Sequence, residues 1–255
     1  MAGSDSRFQR WDLGNHKSWG DAPGFCVECC AFGAKRILKR ETQQGCSTER
    51  TRMNALILVD LQNDFLPGGA LAVPHGDEVI PLADELQRRF DLVVATKDWH
   101  PSDHGSFAAN HKGKKPGDRI ILDGIEQILW PVHCVQNTHG AEFAPLFDTS
   151  RIAHVFHKGT ERNIDSYSTF FDNAHQRHTG LAHYLEKRSI KEIYLMGLAL
   201  DYCVKYSALD ARQLGLNTYV IVDGCRGIEL EPGDIGRALQ EMKRVGVILL
   251  KSSDL

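Results

Sequence analysis

No stretch of this chain is both long and apolar, and none approaches the run of about 18 residues that a membrane-crossing helix needs. The chain also does not open on charged residues followed by an apolar core, so no secretory signal is expected. A surplus of one charge is missing as well. Thirty Lys and Arg stand against 33 Asp and Glu, a formal net charge of −3, which suggests neither a nucleic acid nor an anionic membrane as partner. Internal repeats and low-complexity tracts are absent. Seven cysteines, an odd number over 255 residues, do not read as the disulfide framework of a small secreted domain. Reduced thiols in a cytoplasmic protein are the expectation. Hydrophobic residues make up 42% of the chain, enough to build one large α/β domain with an appendage.

The appendage is residues 1–52, rich in Gly, Ser, Arg and Lys, and reads as a flexible N-terminal extension. Cys26, Cys29 and Cys30 have the spacing of half a zinc knuckle, but only Cys46 follows where a second pair belongs. Free thiols are the preferred reading. Asp5, Asp12, Asp21 and Glu28 argue against an organellar transit peptide, which is poor in acids. The folded domain is expected over residues 53–255.

From Met53 onward, apolar runs of strand length alternate with helix-spaced patterns. Strands are expected at Ala55–Val59, Leu92–Thr96, Ile152–Phe156, Glu192–Met196, Thr218–Val222 and Val247–Leu250. Helices are expected at Val79–Phe90, Leu181–Arg188, Asp201–Leu214 and Asp234–Val245. Continuously apolar strands separated by helices imply a mainly parallel sheet covered on both faces, a three-layer α/β/α sandwich.

Asp60, Asp98, Lys158 and the Gly197–Cys203 turn each follow one of these strands. The carboxyl ends of parallel strands are where such sheets bind ligands, so a carboxylate, an amine and a thiol converge there. Cys203 stands where a helix begins, and a helix N-terminus favours both thiolate and a developing oxyanion. Lys158 adds positive charge and Asp60 can accept the thiol proton, making Cys203 a candidate nucleophile. Cys134 and Cys225 have no such partners and read as small buried hydrophobes. Asp98 and His100 can face one cation from a turn, with His133 as a third ligand from another loop. Mixed oxygen and nitrogen ligation suits Zn, Fe or Mn.

Five segments carry a family resemblance: Val59-Asp60-Leu-Gln62-Asn-Asp64-Phe65, Thr96-Lys-Asp98-Trp-His100-Pro, Trp130-Pro-Val-His133-Cys134-Val, Phe156-His-Lys158-Gly and Gly197-Leu-Ala199-Leu-Asp-Tyr-Cys203-Val. Together, from about Met53 to the C-terminus, they resemble nicotinamidases, within the isochorismatase-like cysteine hydrolases. The resemblance implies the isochorismatase-like fold and hydrolysis of nicotinamide, with pyrazinamide as a further substrate, in NAD salvage. It implies a catalytic triad of Asp60, Lys158 and Cys203, and an oxyanion hole from the N–H groups of Ala199 and Cys203. It also implies a cis peptide at Leu198–Ala199, and a divalent metal, zinc foremost, on Asp98, His100 and His133 to orient the pyridine ring. Phe65, Leu71, Trp130, Tyr167 and Leu198 are implied around the substrate. His104 aligns with a position that binds metal in some members and not in others, and both readings stay open, as does a homo-oligomer. The rival within the fold is an amidohydrolase of carbamoyl or ureido substrates. A silent binding module is a further rival, and intact Asp60, Lys158 and Cys203 speak against it.

Overall fold

A computed structural model describes residues 53–255. The expected N-terminal extension, with its Cys26–Cys46 cluster, lies outside the described residues. In chain order the elements are β1 (Asn54–Val59), α1 (Val79–Leu86), β2 (Leu92–Asp98), β3 (Arg119–Leu122), β4 (Ile125–Ile128), β5 (His154–Lys158), α2 (Leu181–Glu186), β6 (Glu192–Leu198), α3 (Lys205–Gln213), β7 (Asn217–Arg226), α4 (Asp234–Arg244) and β8 (Ile248–Leu250). The principal sheet has six strands in the order β5-β2-β1-β6-β7-β8, and every pairing in it is parallel.

β1 lies inside the sheet, and Leu56, Ile57 and Leu58 keep no exposed surface. A strand with neighbours on both edges and helices on both faces has no solvated side, which is why its sequence is apolar without alternation. The helices bury only one stripe. α1 buries Val79, Ile80, Ala83 and Leu86, and α4 buries Ala238 and Met242, which stand four apart on one face. From β1 the chain winds outward through β2 to β5, returns to β6 beside β1, and winds the other way to β8. That reversal opens a crevice at the carboxyl ends of β1 and β6. Among the described residues no helix is long and apolar enough to cross a membrane.

Four strands run past the apolar stretches that announce them: β6 reaches Leu198, β7 reaches Arg226, and two others end on charged residues. β2 continues through Lys97 and Asp98, and β5 ends on His157 and Lys158. Charged residues end an apolar run in the sequence, but here the strand geometry continues because Asp98 and Lys158 neutralise one another across it. The antiparallel hairpin β3–β4 has no counterpart among the expected elements. Its signal is Asp123-Gly124 between Ile-rich arms. Both residues take positive φ (48° and 85°), as a two-residue hairpin turn of this kind demands.

Candidate active site

Asp98 and Lys158 are register partners at the ends of β2 and β5, so the sheet itself sets them side by side. Asp60 is the first residue past β1. Its φ of 53° lies in the left-handed region that non-glycine residues seldom occupy, and the chain turns there into the crevice. Lys158 Nζ lies 2.8 Å from Asp60 Oδ2 and 3.3 Å from Cys203 Sγ, donates to the Ser166 carbonyl at 3.1 Å, and donates to Asp98 Oδ1. All four functional side chains are buried. One ammonium therefore holds two carboxylates and a thiol in a space without water screening.

The two oxygens of Asp60 are unlike. Thr96 Oγ1 donates to Oδ1 at 2.6 Å. Oδ2 lies 2.8 Å from Lys158 Nζ and meets no other donor among the described residues. Burial raises this carboxyl, Lys158 opposes the shift and Asp98 reinforces it, and the result is a pKa of about 6. Asp98 differs in outcome. Burial disfavours its charge too, but Lys158, His100 and His133 override that and hold it well below the usual carboxylate range. Two adjacent aspartates thus divide into a proton acceptor and a permanent anion.

Burial pushes the Cys203 thiol well above its ordinary range, with Lys158 the main opposing influence, so the resting sulfur carries its proton. The helix start and Lys158 favour thiolate, but desolvation outweighs the local positive charge. β6 ends at Leu198, the Leu198–Ala199 peptide is cis, and Leu200–Val204 form one π-helical turn leading into α3. At Gly197, with φ of 127°, a side chain would run into the main-chain carbonyl of Val59, so glycine lets β1 and β6 close beside the crevice. The turn is tied down on two sides. Ser207 Oγ donates to the Cys203 carbonyl at 2.6 Å and accepts from Thr169 N at 2.8 Å. Asp201 accepts from Ile228 N at 3.0 Å and Glu229 N at 2.8 Å.

Asp98 Oδ2 faces the second cluster, 3.7 Å from His100 Nε2 and 3.8 Å from His133 Nε2. His100 Nδ1 lies 2.8 Å from the Gly159 carbonyl, and His133 Nδ1 lies 2.8 Å from that of Pro131. A carbonyl can only accept, so each Nδ1 carries a proton, and a ring without a second proton presents the lone pair of Nε2 inward. His100 Nε2 is buried with no partner among the described residues. Two imidazole nitrogens and one carboxylate oxygen lie within 4.8 Å of one another, a donor set that fits a divalent transition metal. Burial and His100 push His133 down to about 4, while Asp98 overcomes burial to raise His100. His104 packs against the His100 ring at 4.3 Å between centroids. Its own nitrogens meet Ser106 Oγ at 2.7 Å and the Ile164 carbonyl at 3.2 Å.

A narrow cavity joins the two clusters. Its walls include Cys203, Asp98, His133 and Ala199 together with Phe65, Leu71, Trp130 and Tyr167 from the sequence analysis. Leu198 is not on that wall; it is fully buried in the core. Asp165, Tyr202 and Ile228 line the cavity without having been singled out. Tyr202 was legible as the neighbour of Cys203. Ile228 is far from every motif and is brought in by Asp201. The Tyr167 hydroxyl is fixed by Gln127 Nε2 at 3.0 Å and Trp130 Nε1 at 3.2 Å, which sets its ring against the cavity.

The family model for the isochorismatase domain matches residues 54–254. The nicotinamidase of Escherichia coli (strain K12) is 50% identical over 204 residues, 78% of this chain and 95% of that protein. The solved structure of an Acinetobacter baumanii nicotinamidase and pyrazinamidase is 46% identical with a TM-score of 0.78, covering 81% of this chain and 99% of that one. The pyrazinamidase of Pyrococcus horikoshii, solved in complex with zinc, is 40% identical with a TM-score of 0.64, covering 78% and 98%.

Proposed function

The chain belongs to the isochorismatase family, and we propose that it hydrolyses nicotinamide to nicotinate and ammonia through a thioester on Cys203. The observation that carries this reading is the single Lys158 ammonium joining Asp60, Asp98 and Cys203 beside an inward-facing pair of imidazoles. Asp98, His100 and His133 would hold a divalent cation, zinc foremost, which supplies a Lewis-acid contact for the ring nitrogen. Pyrazinamide presents the same nitrogen and carboxamide and is a second substrate. Phe65, Leu71, Trp130 and Tyr167 sandwich the flat ring.

The sulfur attacks the carboxamide carbon as its proton passes to Asp60, whose pKa of about 6 leaves it ionised at neutral pH. Lys158 balances the charge that develops on sulfur. The backbone N–H groups of Ala199 and Cys203 receive the oxyanion. Asp60 returns the proton to the amine as the C–N bond breaks, releasing ammonia and leaving the thioester. A water that gives its proton to Asp60 then cleaves the C–S bond, and the thiol regains that proton. A carbamoyl or ureido substrate is not favoured, since it has no ring nitrogen for a cation held by Asp98, His100 and His133. Thiol chemistry needs a reducing compartment, which supports a cytoplasmic location.

The test is ammonia release from nicotinamide, from pyrazinamide and from an N-carbamoyl amino acid, before and after chelation. Release from the first two, lost on chelation and restored by zinc, is expected. Silence toward nicotinamide, or turnover untouched by chelation, overturns the reading.

A further inference from the structure

The segment Gln62-Asn63-Asp64 belongs to the first motif, but the mechanism uses only its neighbours Asp60 and Phe65. Gln62 is fully buried. Its Nε2 donates to the Asp98 carbonyl at 2.8 Å and to the Ala141 carbonyl at 2.9 Å, while its Oε1 accepts from Asp98 N at 2.8 Å. The pairing of β1 with β2 ends at Leu58 and Ala95, yet β2 continues to Asp98. Beyond that point the Gln62 amide takes the place of the missing strand, bonding both main-chain groups of Asp98 on the edge opposite β5. The next residues fasten the segment that carries His133. Asn63 Nδ2 donates to the His139 carbonyl at 2.8 Å, and Asp64 Oδ2 accepts from Cys134 N at 2.7 Å.

We propose that Gln62 is a positioning residue for the cation centre, fixing Asp98 so that one carboxylate oxygen serves Lys158 and the other faces His100 and His133. The amide is suited to this because it donates and accepts at once. Glutamate cannot donate to the two carbonyls, and it sets a charged acceptor against them. The inference rests on the metal assignment above. Groups that orient a ligand from behind commonly change metal affinity by about 10–100-fold when altered.

The experiment measures zinc affinity of the full chain by competition with a chromophoric chelator, alongside kcat, KM and thermal melting. The variants are Gln62→Glu, Gln62→Met and, as control, Gln87→Glu. Gln87 is also a buried glutamine bonded to a main-chain carbonyl, that of Asp148 at 2.9 Å, but stands away from the site. Both Gln62 variants are expected to weaken zinc binding at least about tenfold, within the range for such groups, and Gln87→Glu to lower melting while leaving zinc affinity intact. Zinc affinity within twofold of the parent in a folded Gln62 variant overturns the proposal. So does an equal loss in Gln87→Glu, or a chain that fails to fold with either Gln62 substitution, since Gln62 is then a general core residue. A parent that takes up no zinc defeats the metal assignment itself, a result distinct from these.

Discussion

Replacing Lys158 with methionine tests the buried charge cluster most directly. The change keeps an unbranched side chain, one atom shorter, and removes the only cation within reach of both Asp60 and Asp98 among the described residues. At the 2.8 Å separation from Asp60, the gross attraction is about 6 kcal/mol at an effective dielectric of about 20. Desolvation of the ammonium offsets part of it, and removal of one member of a buried pair typically costs about 3–5 kcal/mol. Urea unfolding of the metal-free protein at neutral pH is therefore expected to show a loss of that size. The pH dependence has a definite sign. Lys158 lowers the Asp60 pKa in the parent, so without it Asp60 titrates above about 6, and protonation favours the folded variant. The penalty relative to the parent should be full at alkaline pH and shrink as pH falls toward about 6, below which Asp60 is protonated in both proteins. A loss below about 1 kcal/mol, the size of an exposed pair, or a loss that does not change between neutral and mildly acid pH, would refute the account of this site as a desolvated cluster.

Other consequences follow from the same geometry. In steady-state assays kcat/KM should fall as pH drops through about 6, because Asp60 must be ionised to take the thiol proton. Thr96→Val removes a bond that favours the ionised form, so the acid limb should move to higher pH; a shift toward the ordinary aspartate value of about 3.9 contradicts this. Cys203→Ala should abolish ammonia release while zinc content and melting stay near the parent, and substantial residual turnover rules out covalent catalysis by this thiol. His100→Ala should lower zinc content and activity together, by about 10-fold or more in affinity, as read by metal analysis and the ammonia assay. Full activity in the metal-free variant excludes the metal assignment.

Much of the site was legible because each functional residue stands at the end of an apolar run. Asp60, Asp98, Lys158 and Cys203 are polar groups just where strands finish, and the topology of a parallel sheet directs such ends to one rim. Asp98 and His100, two apart, carried their own ligand signal, and His133 gained meaning through the resemblance. The side chains that hold this set in place were silent. Gln62, Thr96, Ser207 and Asp201 are ordinary polar residues in the sequence, and each acts by reaching a group distant along the chain. Leu198 shows the opposite case: the resemblance implied it around the substrate, and the structure buries it in the core away from the cavity wall.

The sequence by itself determined the layers, the order of the elements and the chemical types arriving at the rim, because periodicity and strand-end polarity are local properties. Only the tertiary structure decided protonation. Asp60 and Asp98 are the same residue type at the ends of neighbouring strands. Burial wins at one, while Lys158 and the two imidazoles win at the other, so one is suited to accept a proton and the other stays an anion. Burial likewise keeps the proton on the Cys203 thiol, although its helix-start position favours thiolate. Desolvation depends on everything packed around a group, and no local stretch of residues encodes it.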